Sequence, residues 1–204
     1  LIQKPLPPLI VIPSTAGSGS EVSQFSIIAD SERKIKMTII SKSLVPDIAI
    51  TDPLILSTVD SRVTATTGME ALSHAIEAYL SLAATDLTDV HALHSIKLIS
   101  THLRASVASQ VNEEAKVAMA KASLQAGIAL SNAVLGLTHA MTHQVGGLLD
   151  LPIGEISAVL LPYVMRFNMI SSLEKFAAIA NAMGVDTSRM MPRDAAKKAI
   201  HMVQ

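Results

Sequence analysis

The sequence of 204 residues contains no cysteine. This absence excludes disulfides, thiolate nucleophiles, and zinc or iron–sulfur sites built on cysteine, and it fits a reducing, cytoplasmic compartment. Aromatic residues make up only 2% of the chain, although half of its residues are apolar. Ala, Leu, Ile, Val and Met must therefore fill the interior, which favours closely packed helices over a β-sandwich.

A basic block is also absent, because the 16 Lys and Arg are dispersed along the chain, and with 17 Asp and Glu they give a net charge of −1. Nucleic-acid binding therefore has no electrostatic support. Thr, His, Ser and Asn interrupt every apolar run, so we expect no membrane-spanning segment. The N-terminus lacks the features of a signal peptide, and both ends of the chain predict a piece of a longer protein.

Strand patterns come first along the chain and helical patterns follow. "PLIVIPS", "SQFSIIAD", "KIKMTIIS" and "PDIAITD" predict strands, with a hairpin turn at "DSERK". From residue 60 the apolar spacing becomes helical. The predicted helices cover 60–82, a segment capped by Thr85 or Asp86, 112–131, 133–147, 152–168, 172–184 and 192–203. Asn112 is the predicted N-terminal cap of the third helix, and Gly184 suits the position just after the sixth. This order predicts the end of an α/β domain over 1–57, followed by a helical domain over 58–204.

Two short stretches place metal-binding side chains four residues apart. "GMEALSHAIEAY" carries Glu70 and His74, and "LTHAMTHQ" carries His139 and His143. Residues at this spacing share one helix face, and a buried carboxylate beside an imidazole needs a partner, which a metal ion would supply. Alternatively, one histidine of the second pair handles a proton. The competing interpretation is ordinary buried side chains that hydrogen-bond within the core.

The loop "STAGSGSE" follows the first strand and is rich in small residues. Its free backbone N–H groups could hold a phosphate, but such loops also join strands without binding anything. It matches neither of the two common glycine-rich nucleotide motifs, so the loop alone leaves the question open. His91, His94 and His102 lie among polar residues and predict a solvated helix face.

Four blocks in order carry a resemblance to a known family: "IPSTAGSGSEVS", "DIAITDP", "TGMEALSHAIEAYLS" and "LGLTHAMTHQVGGLLDLPIGEISAVLLPYVMRFN". They resemble the iron-containing (group III) alcohol dehydrogenases. The resemblance implies a dehydroquinate synthase-like fold, in which a dinucleotide-binding α/β domain precedes a helical metal-binding domain. It also implies NAD(P), Fe(II) or Zn(II), hydride transfer between a small alcohol and its aldehyde or ketone, and a dimer or larger homo-oligomer.

The same resemblance implies roles for individual residues. Glu70 stands where the family has a metal-binding Asp, and His74 and His139 match two ligand histidines. His143 matches a histidine in substrate binding or proton relay. The residues that match the cofactor site are Ser14, Thr15, Gly17, Ser18 and Lys36.

Ile153 departs from the family pattern, because the last metal-binding histidine belongs at this position. The Glu at position 70 is also one methylene longer than the usual Asp, and the family's upstream pyrophosphate loop is missing. Metal binding is therefore expected to be weakened or lost. One hypothesis is a working but weaker metal-dependent dehydrogenase. The other is a metal-free, inactive or repurposed relative that serves as a binding or structural protein.

Overall fold

Four short strands precede seven α-helices in the part of the chain described by the computed structural model, residues 7–204. The strands are β1 Ile10–Val11, β2 Phe25–Asp30, β3 Ile35–Ile40 and β4 Ile48–Ala49. The helices are α1 Ser61–Leu80, α2 Asp86–Ala108, α3 Glu113–Ala133, α4 Leu137–Leu149, α5 Ile153–Asn168, α6 Leu173–Ala182 and α7 Pro192–Val203. The segregation of strands from helices follows the predicted order; the domain boundary at 57/58 stays a prediction.

The strands form two separate pairs. β2 and β3 run antiparallel, from Phe25 opposite Ile40 to Asp30 opposite Ile35, which confirms the predicted hairpin. β1 and β4 pair in parallel over only two residues each and are shorter than the predicted runs. Most side chains of all four strands are exposed, isoleucines included. The strands therefore contribute little to the core.

The core lies among the helices and is built from small side chains. Alanines of α1, α2 and α3 have no exposed surface, as at Ala75, Ala92 and Ala126. Such residues let helix backbones approach closely, so contact area is gained without large aromatic groups. Phe176 on α6 is the largest fully buried side chain among the described residues. The composition thus predicted the kind of core correctly.

Side-chain caps fix the starts of α1, α2 and α3. Thr85 forms a reciprocal capping box with Thr88, and the Asn112 side chain accepts a hydrogen bond from the backbone N–H of Ala115. Both predicted caps are confirmed, as is Gly184, whose φ of 90° suits the position after a helix end. Local chemistry decided these boundaries, which is why the sequence predicted them.

The predicted bounds of the fourth helix are wrong. Val134 has a φ of 66°, which no right-handed helix accommodates, so α3 ends at Ala133 and α4 begins only at Leu137. At the other end α4 continues past its glycines to Leu149. A β-carbon on Gly147 would lie 2.6 Å from the carbonyl oxygen of Lys34. This glycine therefore leaves space for the β2–β3 turn to pack against α4, and it does not end the helix.

The expectation that no segment could span a membrane also needs correction. Ile153–Ser171 is long and apolar enough to do so by length and composition alone. The same test is passed by core helices of soluble proteins, and α5 packs against α1, α4 and α7. Packing on these three helices explains only part of its composition, because Val159, Tyr163 and Phe167 remain exposed.

Candidate active site

A cavity of about 710 Å³ lies between the hairpin and the N-terminal loop on one side and α1, α3 and α4 on the other. Side chains from both predicted pairs line it. The lining residues of chemical interest are Ser18, Glu70, His74, His139, His143 and Ile153. The structure therefore brings both i, i+4 pairs to one cavity, although they lie on different helices.

Two of the imidazoles are in direct contact. The rings of His74 on α1 and His139 on α4 stack with their centroids 4.7 Å apart and their planes 22° apart. The ring of His143, one turn further along α4, lies 6.1 Å from that of His139. Three imidazoles thus line one wall of the cavity.

His139 is oriented by a buried carboxylate. Its Nδ1 lies 2.7 Å from Oε2 of Glu77, and because a carboxylate accepts hydrogen bonds, Nδ1 carries the proton. The other ring nitrogen, Nε2, is buried and has no hydrogen-bond partner. In the neutral form of the ring, the lone pair of Nε2 is therefore free.

His74 is oriented by the loop instead. Its Nδ1 lies 3.2 Å from the carbonyl oxygen of Gly17, which can only accept, so Nδ1 again carries the proton. The loop is held against the helices by close backbone contacts: a β-carbon on Gly17 would lie 2.6 Å from that of Thr67, and one on Gly127 only 2.8 Å from the Cα of Gly19. Glycine at these positions is what lets the Gly17 carbonyl reach α1.

Burial dominates the electrostatics of the cavity. It raises the pKa of Glu70, although the charges of His139 and Lys36 partly oppose the rise. Burial, followed by the charge of His139, holds the pKa of His74 well below its usual range, and burial also lowers the pKa of His143. The imidazoles of His74 and His143 are therefore neutral near pH 7, the form in which a histidine binds a metal.

The predicted cofactor residues are not all brought to this cavity. Ser18 lines it and Gly17 supplies the carbonyl to His74. Thr15 lines a separate small cavity, and Ser14 is exposed. Lys36 on β3 reaches α4, because a β-carbon on Gly146 would lie 3.0 Å from its Nζ. Whether these five residues bind a cofactor stays a prediction.

The sequence reasoning missed Glu77. It lies three residues after His74 in an otherwise apolar run and is 6% exposed. A carboxylate within such a run was a signal, because an acidic side chain is rarely buried without a partner. Its partners lie on α4, so spacing along the sequence could not reveal them.

The two stacked imidazoles, those of His74 and His139, have the chemistry of ligands to a divalent metal. Each has its Nδ1 proton directed at an acceptor, as metal-bound histidines usually do, and the buried Nε2 of His139 lacks any other partner. Within residues 7–204, however, no group of three or more His, Asp or Glu side chains is arranged to hold a metal ion. Ile153 adds an apolar side chain to the same cavity. A complete set of ligands is thus not assembled here.

Comparisons with known proteins decide the family. A model described as the C-terminal part of the Fe-containing alcohol dehydrogenase family matches residues 64–204, and one described as iron-containing alcohol dehydrogenase matches residues 1–53. The chain belongs to the iron-containing alcohol dehydrogenase family. The resemblance inferred from the sequence blocks is thereby confirmed.

Relatives within the iron-containing alcohol dehydrogenase family match nearly the whole chain. The 1,3-propanediol dehydrogenase of Citrobacter freundii is 46% identical over 202 residues, 99% of this chain and 52% of the relative. The NAD-dependent methanol dehydrogenase of Bacillus methanolicus is 43% identical over 98% of this chain and 52% of its own length. The chain thus spans about half the length of these curated relatives.

Solved structures of family members confirm the fold. The crystal structure of a 1,3-propanediol oxidoreductase superposes with a TM-score of 0.95 at 46% identity and covers 99% of this chain and 53% of that chain. The alcohol dehydrogenase from Oenococcus oeni gives a TM-score of 0.96 at 39% identity and covers the same shares. The strands and helices described above therefore have the arrangement found in iron-containing alcohol dehydrogenases.

Proposed function

We propose that this chain is part of an NAD(P)-linked oxidoreductase that interconverts a small alcohol and its aldehyde or ketone. The observation that carries the proposal is the buried, unpartnered Nε2 of His139, stacked beside His74 in a cavity large enough for a small substrate. Relatives named as propanediol and methanol dehydrogenases support the reaction class.

The proposed metal ligands are His74, His139 and Glu70. When bound, a divalent iron or zinc ion would act as a Lewis acid on the substrate oxygen, and the nicotinamide would exchange the hydride. Two imidazoles and one carboxylate form a donor set that serves catalytic metals in other proteins. Because Ile153 offers no donor, we propose that binding is weaker than with a fourth ligand.

His143 is proposed to move the proton of the reacting alcohol. It lines the cavity, and its Nδ1 is buried without a hydrogen-bond partner. A neutral imidazole near a reacting oxygen can accept a proton at neutral pH, which fits the lowered pKa of His143. Lys36 places a positive charge near the same wall, where a bound cofactor would carry negative charge.

The cofactor loop and the assembly complete the proposal. Ser14, Thr15, Gly17 and Ser18 would contact the cofactor, with Ser18 on the wall of the cavity. We propose a cytoplasmic location, consistent with a chain that has no cysteine to oxidise. We also propose a homo-oligomeric state.

Metal titration tests the proposal directly. The protein is stripped with a chelator, titrated with Fe(II) without oxygen or with Zn(II), and assayed for oxidation of NADH and NADPH by small aldehydes. We expect about one metal equivalent per chain, and its loss in a His139→Ala variant. The control is His94→Ala, which removes an exposed histidine of α2.

A different result would favour the alternative. If wild-type protein and the His139→Ala variant bind equally little metal, and added metal produces no aldehyde-dependent oxidation of the nicotinamide, the metal-dependent proposal is wrong. Ile153 and the incomplete ligand set would then be features of a metal-free relative.

A further inference from the structure

We propose that Glu77 is a positioning residue that fixes the tautomer and orientation of His139 and holds the first turn of α4 in the same contact. Through this contact Glu77 determines which nitrogen of His139 faces the cavity. The importance of this role rests on the proposed function, since the free lone pair of Nε2 matters only if a metal or substrate uses it.

The Glu77 carboxylate accepts four hydrogen bonds, all from the start of α4. Oε2 accepts from the backbone N–H of Gly136 at 3.0 Å, from that of His139 at 3.3 Å and from the ring Nδ1 of His139 at 2.7 Å. Oε1 accepts from the backbone N–H of Thr138 at 2.6 Å. Both oxygens are thus committed to one short segment of α4.

These bonds replace a cap that α4 lacks. The residue before the helix, Gly136, has no side chain, so no side-chain oxygen of α4 itself satisfies the first N–H groups. Glu77 supplies that acceptor from α1, and its negative charge suits the positive end of the helix. The start of α4 therefore depends on a residue of another helix.

The close approach of the Glu77 carboxylate explains why a glycine occupies position 136. A β-carbon on Gly136 would lie 3.0 Å from Oε1 of Glu77 and 3.3 Å from its carboxyl carbon. A larger residue would press on the carboxylate and disturb the bonds to α4. Gly136 thus leaves the space that the carboxylate needs.

Burial makes the contact sensitive to any change of partner. The side chains of Glu77 and His139 are only 5% and 3% exposed. A buried carboxylate without Lys or Arg beside it is costly unless hydrogen bonds satisfy it, and within residues 7–204 Glu77 forms an ion pair only with His139. The imidazole and the helix start are therefore held as one unit.

The consequence falls on the opposite ring nitrogen. With the proton on Nδ1 directed at Glu77, the lone pair of Nε2 is left unprotonated and directed away from Glu77. If the proton moved to Nε2, the ring could not act as a ligand at that atom. A carboxylate in this position usually raises metal affinity by about 10- to 100-fold. It matters more here, because Ile153 leaves fewer donors to compensate.

The test is a Glu77→Gln variant, which preserves shape but replaces one acceptor oxygen with an NH₂ group that faces N–H donors. We expect Zn(II) or Co(II) to bind about 10- to 100-fold more weakly, and ¹⁵N NMR of the metal-free variant to show His139 losing its pure Nδ1–H form. The control is Glu174→Gln, which makes the same substitution at an exposed position of α6. It should leave both measurements unchanged.

The tautomer measurement keeps this inference separate from the proposed function. If wild-type protein binds no metal, the proposed function loses its ligand set, yet ¹⁵N NMR of metal-free wild-type protein still tests Glu77. A wild-type His139 protonated at Nε2 would overturn the inference, even if Glu77→Gln fails to fold. A folded Glu77→Gln variant with the wild-type tautomer and an affinity within about twofold would also overturn it.

Discussion

His139 and His74 stack in one cavity but are held by opposite means. On the helix side, α1 and α4, a single carboxylate makes four hydrogen bonds that fix His139 and the start of its helix. On the loop side, residues 14–23, a backbone carbonyl fixes His74, and glycine contacts hold the loop. The position of His139 depends on a charged side chain, and that of His74 depends on glycines that have no side chain. Different substitutions should therefore disturb the two histidines.

The largest effect on stability is expected for Gly127→Ala on α3, which disturbs the contact between this helix and the loop. The new methyl group would meet the Cα of Gly19 at 2.8 Å and its carbonyl oxygen at 2.9 Å, so backbone atoms rather than a flexible side chain would have to move. We expect a loss of about 1–3 kcal/mol in the free energy of unfolding by denaturant, despite the better helix propensity of alanine.

The control for this prediction is Lys121→Ala, at an exposed position of the same helix. It should change the free energy of unfolding by less than about 0.5 kcal/mol. A Gly127→Ala protein as stable as wild type would mean that the loop yields easily and that glycine packing does not hold the Gly17 carbonyl in place.

A smaller gain is expected for Ile153→His, which adds an imidazole at the first residue of α5. Because Ile153 lines the same cavity as His74 and His139, a histidine there should strengthen Zn(II) binding by about tenfold or more, measured by competition with a chelator. Val159→His, at an exposed position of the same helix, is the control. Equal affinities of the two variants would mean that position 153 does not face the metal.

The smallest expected effect is on the pH dependence of stability, and it concerns His74, the histidine held by the loop. Burial, together with the charge of His139, holds the pKa of His74 well below its usual range. Below about pH 6.5 the unfolded chain therefore binds a proton at His74 that the folded chain does not. Stability should fall as the pH drops through this value, and it should continue to fall towards the lower pKa of the folded state.

A His74→Gln variant removes this contribution to the pH dependence. Denaturant unfolding of metal-free protein between about pH 5 and 7 should show a shallower decline than in wild type. Some decline should remain, because the pKa of His143 is also lowered. The exposed His94→Gln is the control and should keep the wild-type slope. Parallel curves for all three proteins would contradict the assignment.

The sequence predicted features that short-range chemistry decides. Thr85 and Asn112 cap helices through bonds to residues three positions away, and "DSERK" turns between strands that pair directly. The histidine pairs were visible because i, i+4 spacing puts side chains on one helix face. Such features need no knowledge of the tertiary structure.

Features that depend on distant contacts were missed. Glu77 bonds to residues about 60 positions further along, and Gly147 accommodates the hairpin turn and does not end a helix. The left-handed φ of Val134, which separates α3 from α4, has no sequence signal, because valine disfavours that conformation. In each case the tertiary structure, and not the local propensity, decided the outcome.

The contact between Gly19 and Gly127 also has a consequence for protein engineering. Two positions far apart in the chain share one space that neither can fill. Grafting a different loop into residues 14–23 would succeed only if the incoming loop also has glycine where its backbone meets α3. Loop exchanges in this protein should therefore be designed as paired changes, with the helix position included in every library.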